Sequence, residues 1–412
     1  MRGSPLNDAE TLEDEAFAAE VAQWLAENFP PSLAYKNPFA YINDAEVAAA
    51  DPDFRLWLKR VVDKGWGAPT WPVKYGGGGL TPAQDRILTR EMARIGAFNP
   101  NRTYGQMMLG PTLLEYGSEE QKARFLPPIA RGEVRWCQGF SEPGAGSDLA
   151  ALQTRCVDDG DAWLVNGHKI WTSNAHQADW CFCLVRTDTT RKQGGISFLL
   201  IDMRSPGIEV RPIVLISGTR HFCEVFLRDV RVLKENLVGR LNGGWEIAKR
   251  LLQYERDSLA GNRVQLRGLA EMAKAYVGTD AQGRIADPWL RQRLISNAMR
   301  CEAFAQTVRR VSEETSNGGV SSAVSALKNL GAAISQEHAE LTVDILGHQG
   351  LGWSGDGYSE EQLEATRAWL HSRAYSIYGG SHEIQNNIIA KRVLGLPDSM
   401  RSANGERQAW RG

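Results

Sequence analysis

Two stretches near the middle of the 412-residue chain hold side chains able to do chemistry together. In Cys137–Asp148, CQGFSEPGAGSD, the glycines Gly144 and Gly146 let a turn point several backbone N–H groups at one spot. With the hydroxyls of Ser141 and Ser147 on either side, such a turn suits a pyrophosphate. The plainer alternative is a polar loop ahead of a strand, and composition alone favours it. In Asn166–Trp180, NGHKIWTSNAHQADW, Trp171 is followed by Thr172 and Ser173. An indole can lie against a flat ring system while a hydroxyl two residues on reaches a ring nitrogen. The commoner fate of a tryptophan is a place in the core. Two more positions matter near the other end of the chain. AYSIYGGSHEIQNN has a tight turn at Gly379–Gly380 followed by polar Ser381 and Glu383, but Gly379 carries no side chain to do chemistry. LLQYERDSLAG carries the pair Glu255–Arg256 among Leu251, Leu252 and Leu259. That pair is either an ordinary surface ion pair or a carboxylate on a partly buried helix face.

Positioning these residues requires three zones. Residues 1–135 read as helices: PDFRLWLKRVVDKG has a Pro start and a Gly stop, Thr81 and Ser118 are N-caps, and Pro82 takes the first helical position. Across 136–242 the apolar period changes from 3.6 to 2. In ADWCFCLVRTD, Trp180, Phe182 and Leu184 fall on one face and Cys181, Cys183 and Val185 on the other. GGISFLLIDM, IEVRPIVLI and FCEVFLRDVRVL are further strands, and Asn166–Gly167 is a hairpin signal. Closely spaced strands with turn signals imply a small barrel or sandwich. Residues 243–400 return to long helices of the kind that form bundles, with Leu290, Leu294, Ala298, Ala305 and Val308 near one stripe. Residues 401–412 form a tail.

Composition removes several function classes. A net charge of -2 makes no electrostatic case for nucleic acid or a membrane surface. No apolar run approaches the roughly 20 residues of a bilayer span. The N-terminal stretch has neither an apolar signal core nor the acid-poor composition of a transit peptide, and the six cysteines form no Cys-x-x-Cys pair. A cytoplasmic location is therefore expected. No Gly-x-Gly-x-x-Gly follows a strand, KYGGGGLTP lacks the Lys-Ser/Thr of a phosphate loop, and no metal-ligand spacing is present.

Taken together, Ser141–Asp148 and Gly167–Asn174 (GHKIWTSN) resemble the paired signature segments of the acyl-CoA dehydrogenase family. The likeness extends over nearly the whole chain through GPTLLEYGSEEQKARFLPPIARGE, FCEVFLRDVRVLKENLVG and RVLGL. It implies a multidomain α and β protein: an N-terminal helical domain, a central β-barrel and a C-terminal four-helix bundle, usually as a tetramer. It implies FAD between barrel and bundle. Residues matching Gln138, Phe140 and Ser141 line the flavin in that family; Gly146 belongs to the pyrophosphate turn, and Ser147 lies near the pyrophosphate and the CoA end of the substrate. Trp171 flanks the isoalloxazine, the Ser173 hydroxyl reaches flavin N5, Thr172 between them is a further cofactor-binding residue, and Ser381 and Glu383 fall with the FAD nucleotide. The implied reaction removes two hydrogens from adjacent carbons of an acyl-CoA thioester, with an electron-transfer flavoprotein as acceptor.

Many members of the family place the catalytic base in Tyr-Glu-Gly-Thr, which here reads Tyr378-Gly379-Gly380-Ser381. Gly379 has no carboxylate, but its backbone N–H remains to hold the thioester carbonyl, with Gly380 beside the substrate. Some relatives carry the base in a Glu-Arg pair on the first long helix of the C-terminal domain, which assigns catalysis to Glu255 and a substrate contact to Arg256. The family's Arg-x-x-Phe-Gly segment has no clear match in TDAQGRIADPWLRQRL, and Gln-x-x-Gly-Gly-x-Gly appears as Asp344–Gly350. These departures are similar to those of members working in mixed tetramers, often on steroid side chains or other bulky acyl groups. The alternatives to an ordinary homotetrameric dehydrogenase are thus a subunit of a mixed assembly with little activity alone, or a flavin monooxygenase on the same fold.

Overall fold

A computed structural model describes residues 12–261, 268–316 and 324–397. Packing divides them into two compact units. One runs up to Ile213 and resumes over Arg220–Tyr254; the other takes Val214–Thr219 and the residues from Glu255 on.

The first unit begins with α1 Leu12–Asn28, α2 Pro38–Ile42, α3 Ala45–Ala50, α4 Pro52–Asp63, α5 Pro82–Arg94, α6 Gly110–Tyr116 and α7 Glu119–Ala130. Their starts are written in the sequence. The Asp51 carboxylate accepts from the N–H groups of Asp53 and Phe54 at the head of α4. Thr81 with Gln84 and Ser118 with Gln121 form capping boxes on α5 and α7. Helix α4 buries Phe54, Trp57 and Val61, spaced three and four apart, so one stripe faces inward. Gln121 also fastens α7 to the sheet region, its amide donating to the Glu235 and Leu237 carbonyls at 2.7 and 2.9 Å.

Eight strands follow: β1 Trp136–Gly139, β2 Arg155–Asp159, β3 Ala162–Ser173, β4 Trp180–Arg186, β5 Ile196–Asp202, β6 Ile208–Ile213, β7 Phe222–Leu233 and β8 Leu237–Val238. They hydrogen-bond in the order β6-β7-β3-β2-β4-β5-β8, with β1 parallel to β4. The period-2 reading of β4 holds. Phe182 and Leu184 share a cluster with Phe125, Leu126 and Leu251 from helices, while Cys181, Cys183 and Val185 join a second cluster. All eight strands contribute to that second cluster, so they wrap one interior, as a barrel does. Five of the six cysteines lie there as free thiols, and burial pushes the Cys156 thiol up to about 12, which keeps it inert.

The hairpin read at Asn166–Gly167 is corrected. Strand β3 continues through it, with a register shift against β7 between Val165 and Gly167, and the turn lies earlier, at Gly160 with φ 75° between β2 and β3. Asn166 instead clasps Asp229 of β7, giving and receiving a 2.9 Å hydrogen bond. Gly167 is small because Thr154 lies against its α-carbon, where a β-carbon would overlap the threonine side chain.

Helix α8, Gly244–Gly261, belongs to the first unit up to Tyr254. The second unit contains α9 Leu269–Tyr276, α10 Pro288–Ser316, α11 Val324–Leu346, α12 Glu360–Ser372 and α13 His382–Ile388. Its core gathers Leu269, Ala273, Leu290, Leu294, Leu341 and Ile345. The stripe expected along α10 drifts after Leu294: Ala298 and Ala305 are exposed, and Asn297 is buried instead. No helix among the described residues is long and apolar enough to cross a membrane.

Candidate active site

Strand β1 delivers the chain into Phe140–Asp148. It leaves the sheet at Gly139, where a β-carbon would stand 2.8 Å from the Cys181 sulfur. The Phe140 ring is spent on core packing, edge-on to Phe182 and Phe198, so this residue faces a ligand only through its backbone. Glu142 and Ala145 close a tight turn by exchanging backbone hydrogen bonds of 3.1 and 2.9 Å. Neither Gly144 nor Gly146 is in the left-handed region, and a β-carbon on either would meet nothing within 4 Å. Local strain therefore does not explain these glycines; bare backbone facing open space does. Ser147 is exposed beside Asp148, whose carboxylate is paired with Lys192 at 2.7 Å.

Beneath this loop lies a polar anchor that the motif reading quoted but gave no role. Glu142 is 9% exposed and Lys169 is 1% exposed. The Lys169 ammonium donates to Glu142 Oε1 at 2.8 Å and to the Phe140 carbonyl at 3.1 Å. The same carboxylate accepts from the N–H of Gln153 at 2.6 Å, from the N–H of Thr154 at 2.8 Å, and from the Thr154 hydroxyl. Burial alone would raise the Glu142 pKa; Lys169 and these donors outweigh it and hold the carboxyl below its usual range. A lysine amid apolar strand residues was the available sequence signal, since a buried ammonium must be paired.

Two residues beyond Lys169 the β3–β7 register slips between Lys169 and Thr172, forming a bulge. At its tip Trp171 adopts φ 61°, an uncommon conformation for a bulky side chain, and is 54% exposed with its ring edge-on to Phe222. The core reading of this tryptophan is thereby excluded. Thr172 points the other way, fully buried opposite Cys223, with no hydrogen-bond partner for its hydroxyl among the described residues. Ser173 is half-buried opposite Phe222, and Gln138 is half-buried on β1 opposite Phe182. The Ile170 N–H donates to the Ser141 carbonyl at 2.9 Å, joining the two signature segments directly. The first unit therefore fits a flat, anionic cofactor on two counts: an uncovered indole beside a hydroxyl, and open space over the bare backbone of Gly144 and Gly146.

In the second unit, Gly379 and Gly380 have φ 65° and 87°. Gln385 is 1% exposed and donates to the Gly379 carbonyl at 3.1 Å, so the N–H is what this glycine has left to offer. Ser381 caps α13, accepting from the Ile384 N–H. That same hydroxyl, with Glu383's own backbone N–H, holds the exposed Glu383 carboxyl below its usual range. Burial pushes the Lys328 ammonium down. The Lys328 ammonium, Asn329 Oδ1, His382 Nε2 and Gln385 Oε1 are buried without a hydrogen-bond partner among the described residues. Helix α8 includes positions 255 and 256, but the Glu255 and Arg256 side chains lie outside what the structure describes. Just before them, Arg250 and Tyr254 both donate to Glu115 Oε2, at 2.9 and 2.6 Å, and burial with that carboxylate pushes the Tyr254 hydroxyl up to about 12.

The acyl-CoA dehydrogenase N-terminal, middle and C-terminal domain families match residues 11–133, 137–230 and 242–394. Together they cover most of the chain, which belongs to the acyl-CoA dehydrogenase family. It is 38% identical to acyl-CoA dehydrogenase IpdE1 of Mycobacterium tuberculosis over 93% of this chain and 98% of that one. Among solved structures it resembles the Tcur3481-Tcur3483 steroid ACAD, with TM-score 0.77, 28% identity, and 96% and 100% of the two chains covered. It also resembles the ChsE4-ChsE5 complex of M. tuberculosis, with TM-score 0.76, 30% identity, and 97% and 100% covered.

Proposed function

We propose that this enzyme is an FAD-dependent acyl-CoA dehydrogenase that forms the 2-enoyl thioester of a bulky, ring-bearing acyl group, with Glu255 as base. The observation that carries the flavin reading is Trp171, held out of the core on a bulge beside Ser173 and anchored to the Ser141 loop. With FAD bound, the Trp171 ring and the Ser173 hydroxyl would hold the flavin, Gln138, Phe140 and Ser141 would contribute side chain or backbone to it, and Gly146 and Ser147 would leave room for the pyrophosphate. When bound, FAD supplies the hydride acceptor. The Gly379 N–H holds the thioester carbonyl, where negative charge gathers as the α-proton leaves. Glu255 takes that proton; the α C–H pair becomes the new double bond as the β-hydrogen departs with its own pair. Arg256 and Gly380 contact the substrate, and Ser381 and Glu383 serve the nucleotide end. An electron-transfer flavoprotein is the fitting acceptor, and the steroid named in one structural neighbour supports the bulky substrate.

A second reading, a subunit of a mixed assembly, is favoured by the partnerless buried groups around Lys328 and by structural neighbours solved as two-protein complexes. Flavin absorbance of the pure chain, before and after adding FAD, separates the two: a colourless protein that takes up no FAD leaves only the second. Glu255→Gln tests the base. It is expected to keep FAD and bind acyl-CoA while flavin reduction slows by about 10²–10⁴-fold, the usual worth of a positioned general base. Reduction at the wild-type rate with a good substrate removes Glu255 from the mechanism.

A further inference from the structure

We infer that the buried Glu142–Lys169 pair is a positioning device for the cofactor, acting through the Trp171 bulge; the inference rests on the flavin reading above. Two hydrogen bonds join the signature segments, a third reaches Phe140 just ahead of the first segment, and all three start from residues immediately before Trp171. Lys169 is the last β3 residue in register with β7 before the slip, and its ammonium holds both Phe140 and Glu142. The next residue, Ile170, donates to Ser141. Trp171 comes next, in a backbone conformation that a bulky residue keeps only when its surroundings over-determine it. On the other side, Glu142 is fastened to Gln153 and Thr154 ahead of β2, so the loop cannot slide to follow the bulge. The pair thus fixes the indole and Ser173 relative to the loop that faces the ring and the pyrophosphate. A pair needed for folding alone could sit anywhere in the core; this one spans the two segments that must keep a common geometry around one ligand.

The two roles separate because removing both charges avoids the large cost of leaving one buried charge without its partner. The variants are Lys169→Met, Glu142→Gln and the double variant. Melting temperature, FAD dissociation constant and the visible spectrum of bound flavin are read on each. Each single variant leaves one buried charge and is expected to melt lower. The double variant is expected to melt above Lys169→Met, yet bind FAD about 10–100-fold more weakly, by analogy with the loss of residues that orient the ligands of a metal site. Its flavin band is expected to be shifted, and Lys169→Arg to restore part of the affinity. A double variant that binds FAD with wild-type affinity and spectrum overturns the inference. So does a double variant that does not fold, because the pair then belongs to the fold. A wild-type chain that takes up no FAD overturns the parent reading, and this inference with it.

Discussion

Trp171 offers a test that needs neither substrate nor cofactor. In a strand, glycine is ordinarily worse than alanine by about 0.5–1 kcal/mol, because it loses more backbone freedom on folding. At φ 61° that order should reverse. The left-handed conformation costs a residue with a β-carbon about 1–2 kcal/mol and glycine almost nothing. Trp171→Gly and Trp171→Ala remove nearly the same contacts from a ring that is already 54% exposed. Their difference therefore isolates the backbone term. Subtracting the entropic penalty at the middle of each range leaves Trp171→Gly more stable by about 0.75 kcal/mol, within a span of about 0–1.5 kcal/mol. For a unit of roughly 240 residues that is about 1–2 °C in its melting transition. Differential scanning calorimetry of the two flavin-free variants, side by side, resolves it. Both should also lose FAD affinity by about 2–10-fold if the indole stacks on the ring. A Trp171→Ala protein that melts at or above Trp171→Gly would mean that position 171 is not held in the left-handed region, and the bulge argument would fall with it.

The two kinds of glycine in the site should behave oppositely. Gly167→Ala drives a methyl into Thr154 and should destabilise by about 1–3 kcal/mol, whereas Gly146→Ala, which meets nothing within 4 Å, should change melting little but weaken FAD binding; equal melting of the two variants contradicts the packing described. For pH, burial pushes the His338 imidazole down to about 4 from an ordinary 6.5. The unfolded chain then binds the extra proton first, so this contribution is complete above pH 6.5, shrinks as pH falls, and has cost about 3 kcal/mol by pH 4. The stability of wild type relative to His338→Leu should fall as pH drops from 7 to 4, and parallel melting profiles refute the shift.

Much of this was legible in the sequence because it was written locally. The capping boxes at Thr81 and Ser118, the Pro start of α4 and the alternating faces of β4 each depend on residues a few positions apart, and all are present. What failed depended on partners distant along the chain. Asn166–Gly167 carries the composition of a tight hairpin, but Asp229 claims the asparagine and Thr154 crowds the glycine, so the pair sits within a strand. The exposure of Trp171 follows from a register slip against β7 that no spacing within β3 announces. Glu142 and Lys169 are 27 residues apart and read as ordinary charges until the fold buries them against each other. Along α10 the expected apolar stripe gives way to Asn297, whose amide donates to Glu337 of α11 at 2.9 Å.

The proposed location of the base rests on the same logic of partners. Position 379 is shaped for glycine: φ is 65°, and Gln385 pins the carbonyl from a buried site. A glutamate there would have to carry about 1–2 kcal/mol of backbone strain. Glu383 is close in sequence and has the carboxylate that Gly379 lacks, but its environment points the wrong way. The Ser381 hydroxyl and the Glu383 backbone N–H hold its pKa below the ordinary range, and a carboxylate that gives up its proton more readily is a poorer proton acceptor. A base for an α-carbon proton works best when burial against an apolar acyl chain raises its pKa. Neither 379, without a side chain, nor 383, exposed and stabilised as the anion, meets that condition. The proposed base therefore lies on another element, in the Glu-Arg pair of α8, as the resemblance implies.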